Sequence, residues 1–397
     1  MKVAFILSKF PCYDEAFLLR ELHGISRQTE TVLFSLRGGS EPVLHDEARE
    51  LMARVLYLPY LLSWEMLRVH LVWIMKSPAR YFRALRKVIA GNFGSAPFLL
   101  RSLVLFPKSV LFADWAKKNG VTHIHACWAT HPATAAYVAH ALTGIPYSLT
   151  GHAHDIYLDT TFLREKMESS KFISTCTESN KEYLAKIAPS VERDRILVLH
   201  HGLDLSKFET GGVRSNDVYE ILSVGTLQPH KGFSFLLEAL GLLRERSIAF
   251  HCTIAGGGPD EKKLKELCAR LGLSGEVTFT GPLKQRDVLP LYKKADVSVL
   301  MAQGEWHWGI PNVLIESLAA RTAVITTRFG SVEELVKNQE TGLIVPAKDP
   351  GPLADALELY WRRPDLRQSH AKAGYQSVLN GFDLTGTLRE YLERFRQ

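Results

Sequence analysis

Short apolar runs alternate along the chain with stretches whose apolar positions recur every three or four residues, which predicts strands and helices in turn. VAFIL (3–7) reads as a first strand, followed by a helix from about Asp14, the strand TVLFSL (31–36) and helices through the 60s to Asn119. The pattern resumes with THIHAC (122–127), a helix over 132–142, PYSLT (146–150), KFISTC (171–176), a short helix and ILVLHH (196–201). Strand and helix in strict alternation predict a parallel sheet.

After Phe208 comes ETGGVRSND (209–217), rich in glycine and charge, which reads as a linker or the first loop of a new unit. The alternation then restarts: EILSVG (220–225), AFHCTIAG (249–256), EVTFTG (276–281), DVSVLM (296–301), AVITT (323–327) and GLIVP (342–346) are strands separated by helices. Most strands end in Gly, Thr or Ser, which suits the loops at the carboxyl ends of parallel strands, where α/β proteins bind ligands. The expected fold is therefore α/β: two Rossmann-like, doubly wound domains facing a central cleft. Residues 1–205 form the first domain, 206–375 the second, and the helical tail over 376–397 caps the second domain or returns to the first.

Composition adds bounds. A length of 397 residues suits two domains of roughly 200 each. The formal charge of +6, with 15 histidines besides, suits phosphate-bearing small molecules or an anionic membrane surface better than a long nucleic acid. Five cysteines without C-x-x-C spacing indicate neither a disulfide framework nor a zinc ribbon, and fit a reducing compartment. The five apolar residues between Lys2 and Ser8 are too few for a signal-peptide core, so a cytoplasmic location is expected. The most apolar stretch, 55–75, is interrupted by Glu65, Arg68 and His70 and falls short of a spanning helix. Basic residues mix with Trp64, Trp73, Tyr81 and Phe82 across 61–118, a pattern shared by ordinary surface helices and by helices that lie on an anionic membrane.

The strongest local signal is GIPNVLIESLAA (309–320). Gly309 frees the backbone, Pro311 suits a first helical turn, and Val313, Leu314, Leu318 and Ala319 repeat at helical spacing. The N–H groups around Ile310 and Asn312, with the helix dipole, are suited to a pyrophosphate. Glu316, one turn further in, is placed to accept hydrogen bonds from two vicinal hydroxyls such as those of a ribose; the alternative is a solvated helix glutamate. GTLQPHKG (225–232) joins a strand to a helix: Gly225 permits a tight exit and Lys231 is a flexible phosphate cation, unless it is a surface lysine beside a turn. Gly256, Gly257 and Gly258 make another strand-to-helix turn that backbone or ligand could approach closely. In SLTGHAHDIY (148–157), His152, His154 and Asp155 follow a buried strand. An imidazole there is suited to a sugar hydroxyl or phosphate oxygen, with Asp155 fixing its tautomer. A zinc site of His123, His125, His152 and His154 is the competing possibility, but metal-motif spacing is missing and no metal is expected.

Taken together these segments resemble glycosyltransferase family 4, the retaining enzymes of the GT-B fold, and within it the exopolysaccharide and colanic-acid type. The likeness runs through SKFPCYDEAFLLREL, HIHACWATHPATAA, GIPYSLTGHAHDIY, FISTCTESNKEYL and LHHGLDLSKF, then SVGTLQPHKGFSFLLEAL, IAGGGP, GIPNVLIESLA and ELVKNQETGLIVPAKDP, in order over nearly the whole chain. The resemblance implies that His152 lies near the donor sugar, that Lys231 binds the diphosphate and that Glu316, as second glutamate of the family's E-x7-E motif, holds the ribose. Two departures stand out. Thr226 occupies the place where the family often has arginine, leaving charge neutralisation to Lys231 with Lys284 or Arg286 as possible helpers. Trp308 stands where the first glutamate of the motif is expected, with Glu305 close by in the wrong register. A tryptophan can stack on a sugar face but cannot accept hydroxyl hydrogen bonds.

The resemblance thus implies hexose transfer from a nucleoside diphosphate sugar to a glycan or lipid-linked acceptor in cell-surface polysaccharide synthesis, without cofactor, metal or nucleic acid, either free in the cytoplasm or at the inner face of the membrane. Alternatives are a GT-B protein that binds nucleotide sugar without turning it over, motivated by Trp308 and Thr226, and a nucleotide-sugar epimerase of similar architecture.

Overall fold

The computed structural model describes residues 1–12, 15–39, 46–59, 63–158, 160–208, 218–304 and 309–397. The chain divides into two compact units, one of Met1–Gly202 with Thr385–Gln397, the other of Leu203–Leu384. The first holds β1 (Lys2–Phe10), β2 (Glu30–Gly38), β3 (Val55–Tyr57), β4 (His123–Ala126), β5 (Tyr147–Gly151), β6 (Ile173–Thr175) and β7 (Ile196–Val198), in the order β3-β2-β1-β4-β5-β6-β7. The second holds β8 (Tyr219–Val224), β9 (Phe250–Ala255), β10 (Val277–Gly281), β11 (Val297–Leu300), β12 (Ala323–Thr327) and β13 (Leu343–Val345), in the order β10-β9-β8-β11-β12-β13.

Every pairing within these sheets is parallel. Parallel strands are covered on both faces, which is why β4, β5, β11 and β12 are buried at every residue and why small hydroxyl residues interleave with the apolar ones. Both units are thus doubly wound and Rossmann-like. In each sheet the strand order reverses beside the first strand, between β1 and β4 and between β8 and β11; at such a switch point the connections leave on opposite faces and open a crevice at the carboxyl ends.

Local signals place the helices. Ser63 accepts a hydrogen bond from Met66 N at 3.2 Å and starts Trp64–Lys76; Thr177 accepts from Asn180 N at 3.1 Å and starts Glu178–Ile187. The bounds of several elements refine the expectations, and the return of the last helix to the first unit is one of the two courses expected for the tail. The first helix runs Ala16–Ser26, with Tyr13 and Asp14 outside the described residues. The apolar stretch over 55–75 contains the short strand β3 before its helix, because three residues suffice to add an edge strand to β2. The Asp260 helix begins at Glu261. The C-terminal tail is two helices, Pro364–Gly381 in the second unit and Leu384–Arg396, which lies almost wholly in the first. The linker 209–217 lies outside the described residues.

The last helix covers a polar ladder on the first sheet. His123 Nε2 and His125 Nδ1 meet Ser148 Oγ at 2.8 and 2.7 Å, His125 Nε2 meets Thr150 Oγ1 at 2.9 Å, and Thr150 meets Ser174 at 2.6 Å. Tyr391 hydroxyl reaches Ser174 Oγ at 3.0 Å, while Phe395 packs edge-on to Phe5 with ring centres 5.9 Å apart. The ladder satisfies hydroxyl and imidazole groups that would otherwise be costly to bury.

Candidate functional site

In the second unit, the loops leaving β8, β9 and β11 are built on one another's backbone. Gly225 N donates to Ala255 O at 3.0 Å, Leu227 N to Gly257 O at 3.0 Å, and Asp260 N to Leu227 O at 3.1 Å. The approach is so close that a Cβ on Gly256, whose φ is +144°, would lie 1.9 Å from Gly225 O. Gly256 is therefore required by packing between loops, and so is Gly258, which is exposed yet would place a Cβ 2.5 Å from Leu227 O, while the nearest atom to a Cβ on Gly257 is Pro282 Cγ at 3.0 Å. Thr226 is exposed beside them.

Lys231 ends a short 3-10 turn, Pro229–Lys231, and Gly232 starts the helix Phe233–Glu245 with φ +70°. A Cβ on Gly232 would sit 2.1 Å from Met301 O. The turn is fastened to the segment after β11: Gln303 N donates to His230 O at 2.9 Å and Gln303 Nε2 to Pro229 O at 3.1 Å. These contacts hold Lys231 at the β8/β11 switch point. Burial pushes its ammonium down to about 8. A charge stripped of water in this way interacts more strongly with an incoming anion than a surface lysine does.

The chain from β11 returns as the helix Asn312–Ala319. Pro311 is its N-cap, with φ −67° and ψ 129°, rather than a member of the first turn; its carbonyl accepts from Leu314 N at 3.0 Å. That extended ψ turns the Gly309–Ile310 approach off the helix axis and leaves the N–H groups near Asn312 at its open end. Glu316 is half-buried on this helix. Burial, and then the charge of Glu316, hold the buried phenol of Tyr292 well above its ordinary pKa, so the carboxylate lies beside a wholly enclosed ring. Trp308 and Glu305 lie outside the described residues. Lys284 and Arg286 follow β10, the edge strand, where Arg286 is exposed beside Asp287 at 3.8 Å.

In the first unit, His152 follows β5 and is buried among rings: Trp128 at 4.4 Å, Phe17 at 5.3 Å and, nearly parallel at 18°, His201 at 5.3 Å between ring centres. Among the described residues its Nδ1 meets no hydrogen-bond partner. Burial, with His201 second, holds its pKa well below the ordinary imidazole value, so the ring is neutral. Asp155 does not fix the tautomer. Its Oδ1 accepts from His152 N at 2.6 Å and its Oδ2 from Ala129 N, so it ties the loops after β4 and β5 together by their backbones. Burial lifts its carboxyl to about 7 against those two donors. Lys166 Nζ donates to Ala129 O at 2.6 Å and completes the knot. His154 is exposed.

Glu21 and His201 have no counterpart in the sequence-based expectations. Glu21, on the first helix, places Oε1 3.4 Å from His201 Nδ1; Glu21 is buried and His201 half-buried. Burial raises Glu21 to about 8, with Arg20 opposing, and lowers His201 to about 3. Both are neutral near pH 7, so the contact is between a carboxylic acid and an imidazole rather than an ion pair. Phe17 lies over His201 at 4.0 Å and links the pair to His152. A glutamate at a core-facing helical position, four residues after Phe17, was the available signal. His123 and His125 are engaged with hydroxyls and do not join His152 and His154 around a common point; no group of three potential metal-binding residues occurs among the described residues.

The sequence model of the family described as Glycosyl transferases group 1 matches residues 209–377. WcaL of Escherichia coli (strain K12), named as a colanic acid biosynthesis glycosyltransferase, is 32% identical over 173 residues, 42% of this chain and 42% of that protein. The chain thus matches less than half the length of that relative. A glycosyltransferase from Rickettsia africae ESF-5 has a TM-score of 0.74 at 19% identity, covering 100% of this chain and 97% of that one. Anabaena Alr3699/HepE in complex with UDP has a TM-score of 0.73 at 14% identity, covering 99% of both chains. Those likenesses show the fold, two parallel-sheet Rossmann-like domains of the GT-B type. Gly225, Lys231 and Glu316 lie within the residues matched by the Glycosyl transferases group 1 model.

Proposed function

We propose that this protein is a retaining glycosyltransferase of family 4 that moves a hexose-type sugar from a nucleoside diphosphate sugar to a glycan or lipid-linked acceptor in cell-surface polysaccharide synthesis, in the cytoplasm at the inner face of the membrane. The observation that carries this reading is the convergence of Lys231 and the loops after β8, β9 and β11 at one switch point. The similarity to WcaL and the UDP bound by the HepE protein support it.

In this scheme Glu316 accepts hydrogen bonds from the two ribose hydroxyls. The turn of Gly309, Ile310, Pro311 and Asn312 offers N–H groups and a helix dipole to the diphosphate, Gly225, Gly257 and Gly258 present main chain without side chains in the way, and the exposed Thr226 hydroxyl stands beside them. As the bond from the anomeric carbon to the diphosphate oxygen breaks, charge grows on the leaving group and Lys231 stabilises it. The acceptor oxygen bonds to the anomeric carbon on the face just vacated, and its proton passes to the departing phosphate oxygen. His152, neutral and with an Nδ1 that meets no partner among the described residues, is the hydrogen-bonding group of the first unit toward a sugar hydroxyl or phosphate oxygen, and Asp155 positions its backbone; Trp308, outside the described residues, is the remaining substrate-binding candidate. Lys231 and the helix dipole balance the charge, so the scheme has no metal.

A nucleotide-release assay across UDP-, GDP- and ADP-sugars, with and without oligosaccharide or lipid-diphosphate acceptors, tests the proposal. Release stimulated by one donor and an acceptor is expected. Tight binding without release would leave a nucleotide-sugar-binding protein, and isomerised donor would indicate an epimerase.

A further inference from the structure

Three consecutive helices of the first unit, Trp64–Lys76, Pro78–Asn92 and Ala96–Lys118, pack on one another. His70 Nδ1 meets Tyr81 hydroxyl at 2.8 Å and His70 Nε2 meets Pro107 O at 3.4 Å, so one side chain of the first helix engages both others. Each helix has one face in the core: Met66, Val69 and Trp73 on the first, Tyr81, Ala84 and Val88 on the second, Leu105 to Ala116 on the third. An ordinary surface helix would be polar on the other side.

These are not. On the first helix Trp64, Leu67, Leu71, Val72 and Met75 recur at helical spacing opposite the buried face and are exposed. The second helix adds Phe82 and Ile89, followed at its C-cap by Phe93, and the third adds Leu100, Leu103 and Val104. Trp64, Met75 and Phe93 are 81%, 80% and 78% accessible, values that a soluble surface tolerates singly but not in a cluster of this size. Among these stripes stand Arg68, Lys76, Arg80, Arg83, Arg86, Lys87 and Arg101, all exposed, with Glu65 as the only acidic residue over 63–102.

We infer that this face docks on an anionic lipid bilayer, with the apolar stripes entering the headgroup boundary and the guanidinium and ammonium groups on lipid phosphates. The charge chooses the occupant: the seven exposed cations over 63–102 outnumber Glu65 there and Glu165 and Glu168 of the neighbouring helix, near Arg83 and Lys87, and this excess favours an anionic leaflet over a second copy of the same face. The helix Ala96–Lys118 is the one described helix long and apolar enough to cross a membrane, yet half of its apolar window is buried in the unit. Phe112 stacks on Phe34 of β2 at 4.4 Å, which commits that half to the core and makes the contact interfacial rather than spanning. The surface does not depend on the transferase reading, and its test uses no activity.

Flotation of the full chain with vesicles of phosphatidylcholine alone, or with a third phosphatidylglycerol, reads the contact directly. Binding to the anionic vesicles at least about tenfold tighter than to the neutral ones, and weakened by salt, is expected. Trp64→Ser with Met75→Ser and Phe93→Ser should weaken anionic binding by about tenfold, and Arg83→Gln with Arg86→Gln and Lys87→Gln should erase most of the difference between vesicles. All six positions are exposed, so the melting temperature should be unchanged and serves as the folding control. Wild-type protein that floats with neither vesicle, or triple variants that float as the wild type does, would overturn the inference. So would a concentration-dependent oligomer that the apolar variant dissolves, since the face would then be a protein contact.

Discussion

In the second unit the groups proposed to meet a ligand are mostly main chain: the Gly257 and Gly258 turn, the N–H groups at Asn312, and a cation, Lys231, on a turn stitched to its neighbours by hydrogen bonds. In the first unit they are side chains packed like a core, with His152 stacked on His201 and flanked by Phe17 and Trp128. Main-chain sites are specified by local sequence, because a glycine at a tight approach or a helix start acts within a few residues of itself. Ring-lined sites are specified by tertiary packing, and their members come from several elements. The two kinds should therefore fail differently when cut: the first by losing charge or hydrogen bonds to a ligand, the second by losing stability and its control of protonation.

The largest effect is expected at Lys231. Lys231→Ala removes the cation facing the leaving diphosphate, and turnover should fall about 100- to 1,000-fold, with a smaller change in UDP affinity. The same residue sets a pH limit. With the ammonium pushed down to about 8, kcat/KM should decline as pH rises through that value. Stopped-assay kinetics with the best donor measure both, and a variant of unchanged kcat would remove Lys231 from the chemistry. Glu316→Ala should act earlier, weakening UDP about 50-fold in calorimetric titration through loss of charge-assisted hydrogen bonds to the ribose. Equal UDP affinity in variant and wild type would leave Glu316 a structural neighbour of Tyr292.

This contrast also explains what was legible in the chain. Strand and helix alternation predicted doubly wound sheets because parallel strands covered on both faces are short continuous apolar runs. Gly225, Lys231 and the 309–320 segment could be picked out since strand exit, turn and helix start are neighbours in sequence. Gly256 was read with Gly257 and Gly258 as one open turn, although its role is contact with Gly225, a partner 31 positions away. Asp155 was assigned to the imidazole three residues back, but its second oxygen takes the N–H of Ala129, at the end of a different strand, and no spacing rule reports that bond. Glu21 and His201 are 180 positions apart and meet only after β1, β4 and β7 are in one sheet.

Asp155 sharpens the comparison from the side of the first unit. Asp155→Asn keeps the shape but presents an amide donor to one of two buried N–H groups, His152 N or Ala129 N. One orphaned buried pair of that kind costs about 2 kcal/mol, or about 6 °C in the melting temperature of a domain of this size. UDP affinity should not change, because the groups proposed to hold the nucleotide belong to the other unit. Differential scanning fluorimetry with and without UDP separates the two; an unchanged melting temperature would mean that the loops after β4 and β5 do not depend on this carboxyl.

The smallest and most specific effect belongs to Glu21. Its pKa is raised from 4.5 unfolded to about 8 folded, so the native state holds a proton that the unfolded chain releases, and the stability this provides is full below pH 4.5 and lost as pH rises toward about 8. His201 has the opposite sign: depressed from 6.5 to about 3, it contributes stability that is present above pH 6.5 and lost as pH falls toward about 3. Where the two windows overlap, between pH 4.5 and 6.5, their slopes cancel, and above pH 6.5 the Glu21 slope stands alone. Glu21→Gln keeps the volume and deletes that slope. From about pH 6.5 to 7.5 the variant should gain about 1 kcal/mol on the wild type, or about 3 °C, whatever constant offset the amide introduces. Melting curves of both proteins at the two pH values measure the difference of differences. An offset that does not move with pH would mean that Glu21 is already ionised in the folded protein, with Arg20 outweighing burial, and that the contact with His201 is electrostatic after all.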